Sequence, residues 1–168
     1  MIMLDKLVYK RTALELAPLL LGKVLCVRHE DEVLRARITE TEAYFGEEDT
    51  ACHAHKGKTN RTKVLYEEGG ISYVYLCYGI HALMNVISGE QGQPEGVLLR
   101  GVEGFNGPGK LTKHLRIDTS YNNLSLVDSD VMWIEDDGFV PEEIHTSPRI
   151  GIDYATPEYI NKPWRFYY

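Results

Sequence analysis

The chain has 168 residues, 43% of them hydrophobic and 26% charged, with a formal charge of -7. That is the balance of a soluble globular protein long enough to bury a substantial core as one domain, and no apolar window reaches the length needed to cross a membrane. Three cysteines, Cys26, Cys52 and Cys77, form neither a full set of pairs nor a CxxC, which argues against a disulfide framework; with no N-terminal secretory pattern, a cytoplasmic location is expected.

Thr12 followed by Glu15 is a capping-box pair ahead of the apolar run Leu14–Leu21, so a short helix is predicted. Pro18 inside it predicts a kink or a start later than Thr12. Residues 23–28 read as a strand, 29–32 as a polar turn and 33–44 as the hairpin partner. Alternation through that partner places Leu34, Ala36, Ile38, Glu40, Glu42 and Tyr44 on one face, so an apolar face is expected to run on into two carboxylates and a tyrosine. The alternative is that the strand emerges into solvent after Ile38.

After Gly46 the chain is polar, with Asp49 or Thr50 expected to cap a helical turn carrying Cys52 and His53. Cys52, His53 and His55 lack a fourth ligand at a recognised spacing, so no metal is assigned. Lys56, Lys58, Arg61 and Lys63 alternate with Gly, Thr and Asn; the loop suits phosphate contacts, or is simply exposed. Gly69 and Gly70 precede two strands that turn at Tyr78 and Gly79. Tyr73, Tyr75 and Cys77 share one face, Tyr78 projects from the tip, and Asn85 sits among apolar neighbours where its amide needs partners. EGVLLRGVEG reads as another strand that ends its apolar run at Arg100, for which Glu42 is the expected ion-pair partner.

A Gly-Pro-Gly loop then opens a helix bearing Lys110, Leu111, Lys113 and Leu115, with backbone amides at a positive helix end. VMWIE reads as a strand. From Asp128 to Glu143 there are seven acidic residues and no Lys or Arg, so the rest of the chain is neutral overall and holds two basic clusters. The last strand is predicted at RIGIDY, and the aromatic C-terminus is expected to pack down. Eleven tyrosines against four phenylalanines supply rings that stack and hydroxyls that reach water. The residues alone stop at a pocket for something flat, within an α+β fold built on a largely antiparallel sheet.

Several stretches together, LLGKVL, RITETEAYFGEEDTACH, YVYLCYGIHALMNV, GVLLRGVE, GPGKL, RIGIDY and KPWRFY, resemble the alkyladenine (3-methyladenine) DNA glycosylases of the single-domain mammalian and bacterial type, in family order and over most of the chain. The resemblance implies a single mixed domain over residues 1–168, a curved, largely antiparallel sheet with a protruding β-hairpin, and helices around it. It implies that Glu42 activates a water held also by Arg100 and the main-chain carbonyl of Ile150. It implies that Tyr44, His53 and Tyr75 enclose an extruded base with Asn85 at the pocket wall, and that Tyr78 fills the vacated stack. The phosphate contacts fall to Lys56, Lys58, Arg61, Lys63 and Lys110. The implied partner is double-stranded DNA containing damaged purines, bound by a monomer, with no membrane, metal or cofactor. Without a nucleophilic lysine the reaction is expected to stop at an abasic site. The sequence differs from the family in its short GFNGPG connection, its end at Tyr168 and its acidic total.

Two other readings use the same residues. Glu40 and Glu42, roughly 6.5 to 7 Å apart along a strand, fall in the range of an inverting carbohydrate hydrolase. A non-catalytic binder of distorted duplexes would use Tyr78 and the basic loops but has no need of Glu42.

Overall fold

The computed structural model describes residues 1–168 as an α+β fold built on a ten-stranded antiparallel sheet. In chain order the elements are β1 (Ile2–Met3), α1 (Lys6–Tyr9), α2 (Ala13–Leu20), β2 (Val24–His29), β3 (Glu32–Phe45), β4 (Ser72–Cys77), β5 (His81–Ile87), β6 (Glu95–Val102), β7 (Phe105–Asn106), α3 (Pro108–Leu115), β8 (Met132–Asp136), β9 (His145–Ser147), α4 (Pro157–Ile160) and β10 (Arg165–Tyr167). The main path runs β1-β8-β2-β3-β6-β5-β4, with β7 added to β6 and β10 joining β9 to β3.

The capping box forms as read: Thr12 accepts from the Glu15 amide while Glu15 reaches back to the Thr12 amide, and α2 starts at Ala13. Pro18 does not delay it. The proline sits in the second half of an eight-residue helix, where Leu16, Ala17 and Leu20 hold the helix against the sheet whatever hydrogen bond is lost. No helix is long and apolar enough to cross a membrane.

The fourteen-residue β3 organises the rest. Its first half pairs with β2, the stretch Glu40–Glu42 pairs with β10, and the other edge pairs with β6. The expectation of one continuous face from Leu34 to Tyr44 is wrong. The β3–β6 register shifts between Ile38 and Glu40 and again before Thr41, and this bulge exchanges the faces. Ala36 and Ile38 are in the main core, and beyond the bulge Thr41 and Ala43 continue that side, with the Thr41 hydroxyl donating to the Ala17 carbonyl at 2.8 Å. Glu42 and Tyr44 therefore face away from the helices. An unbroken alternation would have driven both carboxylates into the packing beneath α2.

RIGIDY is not a strand. Residues 149–154 form an irregular, turning segment, and the C-terminal strands are β9 and β10. The aromatic C-terminus does pack down: β10 pairs with β3, and Trp164 and Phe166 pack against the main core.

Candidate active site

Beyond the bulge the strands sort their side chains cleanly. Thr41 and Ala43, Val74, Met84 and Val86, and Val97 and Leu99 point towards α2 and α3. The alternate positions, Glu42, Tyr44, Tyr73, Tyr75, Asn85, Leu98 and Arg100, occupy the opposite face. Strand register sets Glu42 opposite Leu98, Leu98 opposite Asn85, and Asn85 opposite Tyr73, so one cross-strand row joins carboxylate to aromatic ring.

Glu42 is 0% exposed. Its Oε1 accepts from the Tyr44 hydroxyl at 3.0 Å and its Oε2 from the Ile150 backbone N–H at 2.7 Å. Burial raises its pKa above the usual carboxylate range, against the lowering effects of Arg100, the Ile150 amide and the Tyr44 hydroxyl. A carboxylate in that balance can take up a proton, since each oxygen keeps a second lone pair.

Arg100 differs from expectation in its main partner. Its Nε donates to Glu40 Oε1 at 3.2 Å, whereas its Nη1 lies 3.8 Å from Glu42 Oε1. Glu40 also takes Arg165 Nη1 at 3.2 Å. The bulge brings Glu40 into reach of both arginines, so Glu40 steadies Arg100 and leaves it within electrostatic range of Glu42.

An aromatic recess opens beside this row, lined by Tyr44, Cys52, His53, Tyr73, Tyr75, Asn85 and Tyr154 among others. The Tyr73 and Tyr75 rings lie 5.2 Å apart, and the His53 ring meets Tyr75 edge-on at 4.7 Å. His53 Nδ1 lies 3.0 Å from the Tyr73 hydroxyl. Burial, with Arg61 and Lys56 nearby, lowers the His53 pKa to about 4, so the ring is neutral at physiological pH. Asn85 Nδ2 donates to the Tyr73 carbonyl at 3.1 Å, which supplies the partner its buried amide needs.

The recess opens into a cleft of about 770 Å³ that runs from Ile150 and Arg100 to the β4–β5 turn. Tyr78 stands at that turn, 93% exposed, with a left-handed backbone (φ +52°) ahead of Gly79 (φ +66°). A bulky residue in that conformation is strained, and its exposed ring gains almost no burial in the free protein. Of the basic residues, Arg61, Lys110 and Lys113 line the cleft; Lys56, Lys58 and Lys63 are exposed but stand outside it. Arg61 lies over the Tyr75 ring at 4.9 Å. Cys52, His53 and His55 do not converge: His55 Nδ1 turns to the Glu47 carbonyl, His53 to Tyr73, and Cys52 is buried.

Sequence reasoning missed two residues here, Arg149 and Tyr154, and gave Asp49 a different role. Asp49 does not cap the turn at His53–Lys56. It accepts the Phe45 and Ala51 amides and forms a two-pronged ion pair with Arg149 at 2.6 and 2.9 Å, with neither side chain exposed. Tyr154 lines both recess and cleft, its hydroxyl donating to the Ala51 carbonyl at 2.7 Å. Reading RIGIDY as a strand concealed Arg149 and Tyr154; the signal available was an arginine directly after Pro148 and two residues before Gly151, where a turn is at home.

Comparison with known proteins places the chain in a family. The family model described as methylpurine-DNA glycosylase matches residues 7–105 and 103–168, two segments that overlap where β6 turns into β7. The chain belongs to the methylpurine-DNA glycosylase family. Relatives with the curated name "Putative 3-methyladenine DNA glycosylase" include one from Borrelia garinii subsp. bavariensis, 41% identical, covering 98% of this chain and 95% of the relative. Another, from Clostridium botulinum, is 41% identical over 98% and 94%, and one from Psychrobacter cryohalolentis is 44% identical over 81% and 78%. A methylpurine-DNA glycosylase acts as a hydrolase in DNA repair, and in this family member Tyr44, Tyr75, Tyr78 and Arg100 line one cleft.

Proposed function

We propose that this protein excises alkylated or deaminated purines, 3-methyladenine among them, from double-stranded DNA and leaves an abasic site. The observation that carries the reading is Glu42: a buried carboxylate with raised pKa, 3.8 Å from an arginine, on the same sheet face as an aromatic recess. In this reading Tyr78 enters the stack as the damaged nucleotide leaves it, and the base lodges among Tyr44, His53 and Tyr75 with Asn85 at the wall. Extrusion costs a few kcal/mol, least for a damaged base, and ring stacking offsets it.

A purine alkylated at ring N3 or N7 is already cationic in the nucleotide, and the step that follows is the one such a base undergoes. It is drawn to the faces of electron-rich rings, and a neutral His53 does not repel it. Glu42 takes a proton from water, whose oxygen bonds to the sugar C1′. The C1′–N bond breaks, its electron pair passes to the base, and the base departs neutral. Glu42 and the neighbouring dipoles steady the oxocarbenium-like sugar. Arg100 and the Ile150 carbonyl hold the water. Arg61 and Lys110, which line the cleft, meet phosphates, with Lys56, Lys58 and Lys63 as further contacts outside it. The acidic 128–143 stretch faces no phosphate in this reading.

The carbohydrate-hydrolase reading loses ground because Glu40, its second carboxylate, is held between Arg100 and Arg165. The test is incubation with duplexes that each carry one modified purine, scored for abasic sites. Release of free base from at least one duplex supports the proposal; binding without release by the wild-type protein returns it to a non-catalytic binder.

A further inference from the structure

The buried pair of Arg149 and Asp49 has no part in the chemistry above, yet it is the most completely enclosed ion pair in the molecule. Burying two charges costs more than an apolar pair of the same volume, and here the Arg149 Nε is also left without an acceptor. The pair joins stretches that are distant in sequence. Arg149 donates to Asp49, to the Ala43 carbonyl at 3.0 Å and to the Tyr159 carbonyl at 3.2 Å. Asp49 in turn holds the amides of Phe45 and Ala51. The guanidinium lies over the Tyr44 ring at 4.8 Å and over the Trp164 ring at 4.9 Å.

The two groups that hold the Glu42 carboxylate are both fixed through this one side chain. Tyr44, whose hydroxyl donates to Oε1, has its ring against the guanidinium. Ile150, whose amide donates to Oε2, is the next residue in the chain. We infer that Arg149, clamped by Asp49, is a positioning residue that fixes Tyr44 and the Ile150 amide on Glu42 and so aims the carboxylate. The Arg149 side chain is buried and both of its Nη atoms are engaged within the protein, so it acts through those two contacts and not on the DNA. The inference rests on the reading of Glu42 as the base.

The charged and titratable groups around Glu42 are Arg100 from β6, Tyr44 from β3, Arg149 and Tyr154 from the segment after β9, and Arg165 from β10, the last engaged with Glu40. A clamp that only staples loops would change thermal stability alone. A clamp that aims Glu42 changes the chemical step and its pH profile, because a carboxylate released from the Ile150 amide ionises less readily.

The experiment replaces the ion pair with an apolar pair of similar volume, Asp49→Leu with Arg149→Met, and separately makes Arg149→Lys, which keeps the charge and loses the fork. Single-turnover release of an alkylated purine is followed across pH, with affinity for an abasic-site duplex measured in parallel. Both proteins are expected to bind the abasic duplex within about twofold of wild type while excision falls roughly 10- to 100-fold, the scale of a small misplacement of a reacting group. The acid limb of the rate profile is expected to move to higher pH. Wild-type excision with an unmoved acid limb in a folded variant overturns the inference. If the double variant does not fold, Arg149→Lys decides by the same criterion. Glu42→Gln is run alongside: a wild-type rate there refutes the base itself, whereas an inactive Glu42→Gln beside fully active clamp variants refutes the positioning role alone.

Discussion

Tyr78→Gly is predicted to weaken binding to damaged DNA while leaving the fold as stable as before or more so. The side chain is 93% exposed in the free protein, so removing it gives up almost no burial. Its φ of +52° is a conformation that glycine adopts freely and tyrosine does not. Relief of that strain is worth about 1 to 2 kcal/mol, and the added freedom of the unfolded chain takes back about 0.4 to 1 kcal/mol. The fold therefore changes by roughly 0 to +1.5 kcal/mol. In the complex the lost ring removes one stacking contact, on the order of 1 to 3 kcal/mol, or about 5- to 150-fold in Kd. Fluorescence anisotropy with an abasic-site duplex reads the second quantity and thermal melting the first. Unchanged affinity and excision rate would remove Tyr78 from the mechanism, and a lowered Tm would show that the ring packs on the protein.

Glu42→Gln should still bind damaged duplex but lose about 100- to 10,000-fold in single-turnover excision, the usual cost of removing a general base; Glu40→Gln, which loosens Arg100 and Arg165, should lose less. Because burial raises the Glu42 pKa, excision should fall with decreasing pH at an acid limb above the ordinary carboxylate range, and a limb at the ordinary value would contradict the buried setting. His53, with its pKa lowered to about 4, should show by NMR a neutral ring down to pH 5. Since its folded pKa is depressed, the associated stability is present above the unfolded value near 6.5 and is lost as pH falls through about 4. Arg61→Ala, Lys110→Ala and Lys63→Ala should each flatten the dependence of log K on log salt by about one; a wild-type slope in all three would place DNA elsewhere.

The sequence by itself determined the hairpin with Tyr78 at its tip, because Tyr-Gly between two alternating apolar runs permits little else, and the helix after Thr12, because a capping box is local chemistry. It determined the strands that deliver Glu42 and Arg100 and the motifs that mark the family. What it misplaced were properties of pairing between distant stretches. The bulge at Glu40 exists only where β3 meets β6, so alternation counted along one strand put Glu42 on the core side when the register had turned it to the open face. The nearest carboxylate to Arg100 was likewise decided by that bulge and by β10, which brings Arg165 to the same Glu40 from 125 residues away. Arg149 and Asp49, 100 residues apart, carry no local mark of their partnership. Local hydrogen bonds and side-chain volume are written in consecutive residues, whereas the strand registers and buried charges that aim the Glu42 carboxylate arise only when the folded chain brings its far ends together.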